Sequence, residues 1–141
     1  MRKVLIACLL CFSFSAWCIA ENEADKKNFN WEPLIEAIIK VESNGNANAV
    51  SGRSVGALQI TPILVQECNR ILKQRGSSKR FSLNDRFSVE KSKEMFLLFQ
   101  SRYNPTNDID YAIRSWNGGP HFTLKSTQRY YTKVMSHFNR R

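Results

Sequence analysis

The chain has 141 residues, four cysteines and a formal charge of +9. That length fits one domain, long enough to bury a core without staples. The basic balance suits an anionic polymer as partner. Two histidines, His121 and His137, are too few and too far apart for a metal site, so neither a metal nor a cofactor is expected.

Residues 1–20 read as a signal peptide. Arg2 and Lys3 form a charged n-region, "VLIACLLCFSF" is an apolar h-region, and "WCIA" ends at the small Ala20 before Glu21. The apolar run is short for a transmembrane helix. "LIAC" resembles a lipobox, but Cys8 comes too early to follow a full h-region and Cys18 follows the bulky Trp17. Simple export to the periplasm or cell envelope is therefore favoured, with lipid anchoring left open. Export argues against nucleic acid as the anionic partner. Cys8, Cys11 and Cys18 leave with the leader, so only Cys68 remains and no internal disulfide forms.

After a polar lead-in over 21–29, one folded domain is expected over 30–141. Trp31, Leu34, Ile35, Ile38 and Ile39 follow one helical face, predicting a first helix over 31–43 with Asn30 as N-cap and Pro33 in its first turn. Residues 44–57 contain Gly45, Gly52 and Gly56 and read as a loop with a short hairpin around 51–55. A second helix is expected over 62–74. Its stripe of Ile60, Leu64, Cys68, Ile71 and Leu72 makes Cys68 a buried core thiol. "RGSSKRFSLNDRF" reads as loop.

Ser88 can cap a third helix with the stripe Ser92, Met95, Phe96, Phe99 and Tyr103, which "NPTND" breaks. A fourth helix carries Ile109, Ala112, Ile113 and Trp116 and ends at "NGGP". A fifth carries Tyr130, Val134, Met135 and Phe138. No repeat interrupts this series, so the expected fold class is mainly α.

Glu42 is the next position on the first helix's apolar stripe, just before the glycine-rich loop. A carboxyl aimed toward the apolar side at the edge of a cleft has a raised pKa, because burial disfavours its charged form. Such a group can hold a proton near neutral pH and donate it to the leaving oxygen of a glycosidic bond.

Four blocks then resemble one family. "VESNGNANAVS" places Glu42 and Ser43 at a helix end and continues to Ser51. "GALQITP" follows from Gly56, "RSWNGGP" from Arg114, and Thr127, Tyr130 and Val134 mark the last helix. In this order they are similar to the soluble-type lytic transglycosylase (SLT) domain of the lysozyme-like superfamily. The resemblance implies a lysozyme-like helical domain with a small hairpin region after the catalytic helix. It makes Glu42 the catalytic acid/base. It also makes Ser43, Ser51, Gln59, Trp116, Asn117 and Tyr130 the residues of the substrate groove. Trp116 stands where the family has tyrosine, and its reading as core stripe stays open beside the groove-facing one. Leu58 stands for methionine, and the second residue of "NGGP" stands for alanine, a change read as conservative.

The implied substrate is the glycan strand of peptidoglycan, cut between N-acetylmuramic acid and N-acetylglucosamine to leave a 1,6-anhydro end. No Asp or Glu lies between Glu42 and Glu67, which favours a one-carboxylate route over hydrolysis. Two alternatives stay open: a goose-type-lysozyme-like muramidase, and a non-catalytic peptidoglycan-binding or assembly protein of the same fold. A monomer is expected. Wall turnover, service to an envelope-spanning machine and attack on a rival are all compatible with the sequence.

Overall fold

The first helix, α1, spans Glu32–Ser43. It starts one residue later than expected. Trp31, not Asn30, is the N-cap residue, with no side-chain capping bond; its carbonyl accepts Ile35 N–H at 2.9 Å. Pro33 fixes the backbone of the first turn and brings no orphan N–H, while Trp31 is buried against Phe96 with ring centroids 5.7 Å apart. Asn44 ends the helix in the left-handed conformation (φ 53°), which asparagine tolerates better than most residues. Glu42 therefore stands in the last turn. The computed structural model describes residues 29–139; the expected leader lies outside them.

The loop after α1 folds into the expected hairpin, β1 Val50–Ser51 against β2 Ser54–Val55. Gly52 takes positive φ at the first turn position, as a two-residue Gly-X turn requires. Val55 and Ile60 then bridge each other, closing residues 56–59 into a tight loop. Helix α2, Pro62–Gln74, follows at once, with Thr61 Oγ1 accepting Leu64 N–H at 3.3 Å.

The segment read from sequence as plain loop contains a 3-10 turn, Leu83–Phe87. Asp85 folds back to accept Ser82 N–H at 2.7 Å, a local bond that side-chain spacing alone left unread. Helix α3, Val89–Tyr103, begins at Ser88, whose hydroxyl accepts Lys91 N–H. The buried Asn104 then clasps Asp108 through both its amide nitrogen and its oxygen, forming the "NPTND" turn. Helix α4, Ile109–Gly118, is capped by Asp108, and α5, Leu124–Phe138, by Thr123.

Five α-helices and one small hairpin make the described part mainly helical, as the lysozyme-like reading requires. α5 packs against both α1 and α4, while α2 packs against α3. Leu34, Ile38, Leu58, Phe96, Ile113 and Val134 meet in one core. Burying each such side chain stabilises the fold by about 1.5–3 kcal/mol. Cys68 lies fully inside it. Its sulfur sits 3.6 Å from the Met95 carbonyl, and burial, with the charge of Glu67 adding to it, pushes the thiol up to about 12. Such a thiol is inert at neutral pH.

The 3-10 turn buttresses the hairpin region. The buried Arg86 guanidinium donates to the carbonyls of Leu83, Arg53 and Ile60. Gly56 makes that approach possible: a Cβ there would sit 1.8 Å from the Arg86 carbonyl oxygen, and its φ is +81°. The glycine thus serves close backbone packing inside the protein. Gly56→Ala is expected to lower unfolding free energy by at least about 2 kcal/mol, combining overpacking with left-handed strain. Urea denaturation of both proteins checks this, and equal midpoints would exclude the packing role.

Candidate active site

The last turn of α1, the hairpin, the 56–60 loop and the ends of α3 and α4 surround one cleft of about 620 Å³. Volumes of several hundred Å³ are typical of ligand sites. Glu42 lines it from α1. Its carboxyl is half-buried, and burial raises its pKa above the usual value; a hydrogen bond from Tyr130 pulls the other way. Tyr130 Oη donates to Glu42 Oε1 at 2.7 Å across 88 residues of sequence. Burial, more than the neighbouring carboxylate, lifts the Tyr130 phenol well above its ordinary range, so it stays a donor. Oε2 of Glu42 makes no hydrogen bond among the described residues.

Arg114 ties α4 to α5, the helix that carries Tyr130. Its guanidinium, buried between α4 and α5, donates to Asp110 at 2.8 Å, Thr127 at 3.2 Å, Gln128 at 3.0 Å and the Leu124 carbonyl. It also lies 4.2 Å from the centre of the Tyr131 ring. Gly118 permits the close helix approach. A Cβ there would come within 2.8 Å of Phe122 Cβ and Thr127 Cγ2. The glycine that replaces alanine in "NGGP" is thus demanded by packing in this chain, not merely tolerated.

The structure divides the other sequence candidates into two groups. Ser51, Gln59, Trp116 and Asn117 line the same cleft as Glu42. Ser43 stands behind it, its hydroxyl donating to the Ala57 carbonyl at 2.8 Å and so tying α1 to the 56–60 loop. Tyr130 reaches the site through Glu42. Gln59 is held in the left-handed region (φ 49°), with Nε2 donating to Gly56 O at 2.9 Å and Ala49 O at 3.3 Å. Two carbonyl partners fix the amide's orientation and leave its oxygen as the free acceptor. The Asn117 side chain is exposed, has no hydrogen-bond partner among the described residues, and does not cap α4; that position belongs to Gly119. Trp116 stands between core and cleft. It packs on Phe96 and Phe99, with centroids at 5.0 and 6.2 Å, and also lines the cleft.

Sequence reasoning missed Glu67, Phe99 and Tyr103, which also line the cleft. Phe99 and Tyr103 were legible only as a core stripe. Glu67 bounded the acid-free stretch after Glu42, yet it returns to the same cleft from α2. The i, i+3 pairing of Glu67 with Arg70 was visible in the sequence, but nothing there placed it beside Glu42. Among the described residues, no group of three His, Cys, Asp or Glu could hold a metal ion, and no helix is long and apolar enough to cross a membrane.

The family model for the transglycosylase SLT domain matches residues 19–139. No curated protein and no solved structure gives a significant match.

The geometry carries a stability signature. With its folded pKa raised, Glu42 contributes stability that is full below the unfolded carboxyl value of 4.5 and is lost as pH rises through the folded pKa. Glu42→Gln, neutral at every pH, is expected to match the parent at pH 4 and to exceed it in melting temperature at pH 8. Thermal melts across that range test the sign; a variant less stable at pH 8 than at pH 4, relative to the parent, would contradict a desolvated Glu42.

Proposed function

The chain belongs to the transglycosylase SLT family, and on that footing we propose that it is an active lytic transglycosylase, using Glu42 as its single acid/base on the glycan strand of peptidoglycan. Family membership implies peptidoglycan as substrate. The observation that carries the residue assignment is the asymmetry of the Glu42 carboxyl. One oxygen is held by Tyr130, the other is open, and the group is desolvated in the wall of the cleft.

In the proposed route Glu42 protonates the oxygen linking N-acetylmuramic acid to N-acetylglucosamine, and the C1–O bond breaks. The muramoyl acetamido oxygen assists at C1 as the leaving group departs. The Glu42 carboxylate then removes the proton of the muramoyl 6-hydroxyl, whose oxygen closes on C1 as the acetamido group withdraws. Glu42 ends protonated, as it began, and no water is consumed. Tyr130 suits both halves: it holds the acid in place and stabilises the carboxylate by hydrogen bonding when the proton has gone. Gln59 Oε1 and the Asn117 amide offer acceptors and donors for sugar hydroxyl and acetamido groups. The proposal includes export of the chain to the compartment where its substrate lies, as residues 1–20 suggest.

One observation favours a second reading, hydrolysis of the same bond: Glu67 supplies the cleft with a second carboxylate. Its oxygens are engaged by Arg70 and Tyr103, and its pKa is lowered, first by the Arg70 hydrogen bond, which makes it a poor base toward water. Mass spectrometry of digested sacculi separates the two readings. Anhydromuramoyl ends are expected; reducing ends would establish the hydrolase. Glu42→Gln is expected to lose at least about a hundredfold in rate, the usual worth of general acid catalysis. Retention of more than about a tenth of the rate would remove Glu42 from the role.

Gln59 and Asn117 are expected to separate in a paired measurement. Asn117→Ala should slow turnover several-fold at an unchanged melting temperature, since one sugar hydrogen bond is worth about 0.5–1.5 kcal/mol and no internal bond is lost. Gln59→Ala should lower both, because its amide also secures the loop. Unchanged turnover in Asn117→Ala would take that residue out of the groove.

A further inference from the structure

Glu67 lines the cleft from α2, whereas Glu42 lines it from α1. It lies six residues after Thr61 on α2, about 9 Å further along the axis at 1.5 Å per residue, and Thr61, Leu64 and Glu67 all line the cleft. Neither acid contributes to the other's pKa shift: burial and Tyr130 act on Glu42, whereas Arg70 comes first at Glu67, followed by burial and Tyr103.

The carboxylate of Glu67 is fixed with unusual completeness for a side chain still 22% exposed. Arg70 Nε donates to Oε2 at 2.8 Å, while Arg70 Nη2 and Tyr103 Oη both donate to Oε1. Tyr103 Oη in turn accepts from Arg70 Nη2 at 3.0 Å. An ionised carboxylate has about four acceptor positions. Three are filled, and the one left belongs to Oε2. Beside it the Tyr103 ring, tilted against Phe99 with centroids 4.9 Å apart, gives the same cleft an apolar wall. A fixed anionic acceptor next to an aromatic face fits a neutral sugar, which has both hydrogen-bond donors and an apolar ring face.

We propose that Glu67 is a specificity-determining residue of this cleft: Oε2 accepts a hydrogen bond from a hydroxyl or acetamido N–H of a sugar lying along α2 against Tyr103, next to the bond that Glu42 cleaves but not at it. The inference rests on the reading of the cleft as a glycan site. It assigns Glu67 to binding and register, and gives it no part in proton transfer.

The test uses the β-1,4-linked hexamer of N-acetylglucosamine as probe, titrated calorimetrically into the Glu42→Gln protein so that nothing is cut. Adding Glu67→Gln is expected to weaken binding about tenfold, near the low end for a hydrogen bond to a charged group, with the melting temperature nearly unchanged. Adding Glu67→Asp, which keeps the charge but shortens the reach, is expected to weaken it too; if Glu67→Gln fails to fold, this variant decides. In the otherwise unaltered chain, Glu67→Gln should raise KM for soluble glycan strands, leave kcat within about twofold and keep the same product. Equal affinity in the parent and both variants overturns this inference alone. Loss of kcat, or a change of product, with affinity intact also overturns it, because Glu67 would then act in the chemistry. No binding of the hexamer by the Glu42→Gln parent overturns the glycan-site reading, and this inference with it.

Discussion

The cleft depends on a short irregular loop being held from both sides. Residues 56–60 have no helix or extended sheet to satisfy their backbone, yet Ala57, Leu58 and Ile60 are buried. Buried carbonyls without partners are costly; the Val55–Ile60 bridge satisfies part of this backbone, and two side chains add to it. Ser43 donates from the end of α1 to Ala57, and Arg86 donates from the 3-10 turn to Ile60 and to Arg53 in the hairpin. Gly56 supplies the space for the second contact. With the loop fixed in this way, Gln59 is carried in a left-handed conformation that few residues adopt on their own.

Around this scaffold the same residue type is set to two opposite states. Glu42 is drawn toward its protonated form by burial, while Glu67 is held ionised by a guanidinium and a phenol. Acid and base assignments in enzymes follow from such environments, which push like groups apart. Burial sets the first state and Arg70, on the same helix as Glu67, is foremost in the second, while each acid also meets a phenol from a distant helix, Tyr130 of α5 at Glu42 and Tyr103 of α3 at Glu67. The packing of the bundle therefore determines the electrostatics of the cleft, and the stripes that build the core also bring Tyr103 and Trp116 to its wall.

Most of the helical framework was legible because it follows local rules. The apolar periodicity, the caps at Ser88 and the glycine after α4 each act within a few residues. Where a local signal competed with burial, burial won: Asn30 is the better capping residue, but Trp31 anchors the helix start. The 3-10 turn was missed although Ser82 and Asp85 close it locally; only its docking through Arg86 onto Arg53 and Ile60, 33 and 26 residues earlier, lay beyond local rules. Glu42 was singled out by the apolar stripe of the first helix, and Ser51, Gln59, Trp116 and Asn117 through resemblance; the five share a cleft. Ser43 shows the limit of that route: adjacency to Glu42 in sequence places it on another side of the helix, facing the loop. Glu67 was out of reach for the opposite reason, since two acids far apart in sequence meet in one cleft only through tertiary packing.

The clamp formed by Ser43 and Arg86 has one property that the cleft acids lack. Its acceptors are all peptide carbonyls, and no carboxylate takes part. Protonating Glu42 or Glu67 removes none of those acceptors. The frame that shapes the cleft is thus chemically insulated from the groups that titrate inside it, so a change in acidity can alter the charge of the cleft while the loop keeps its shape.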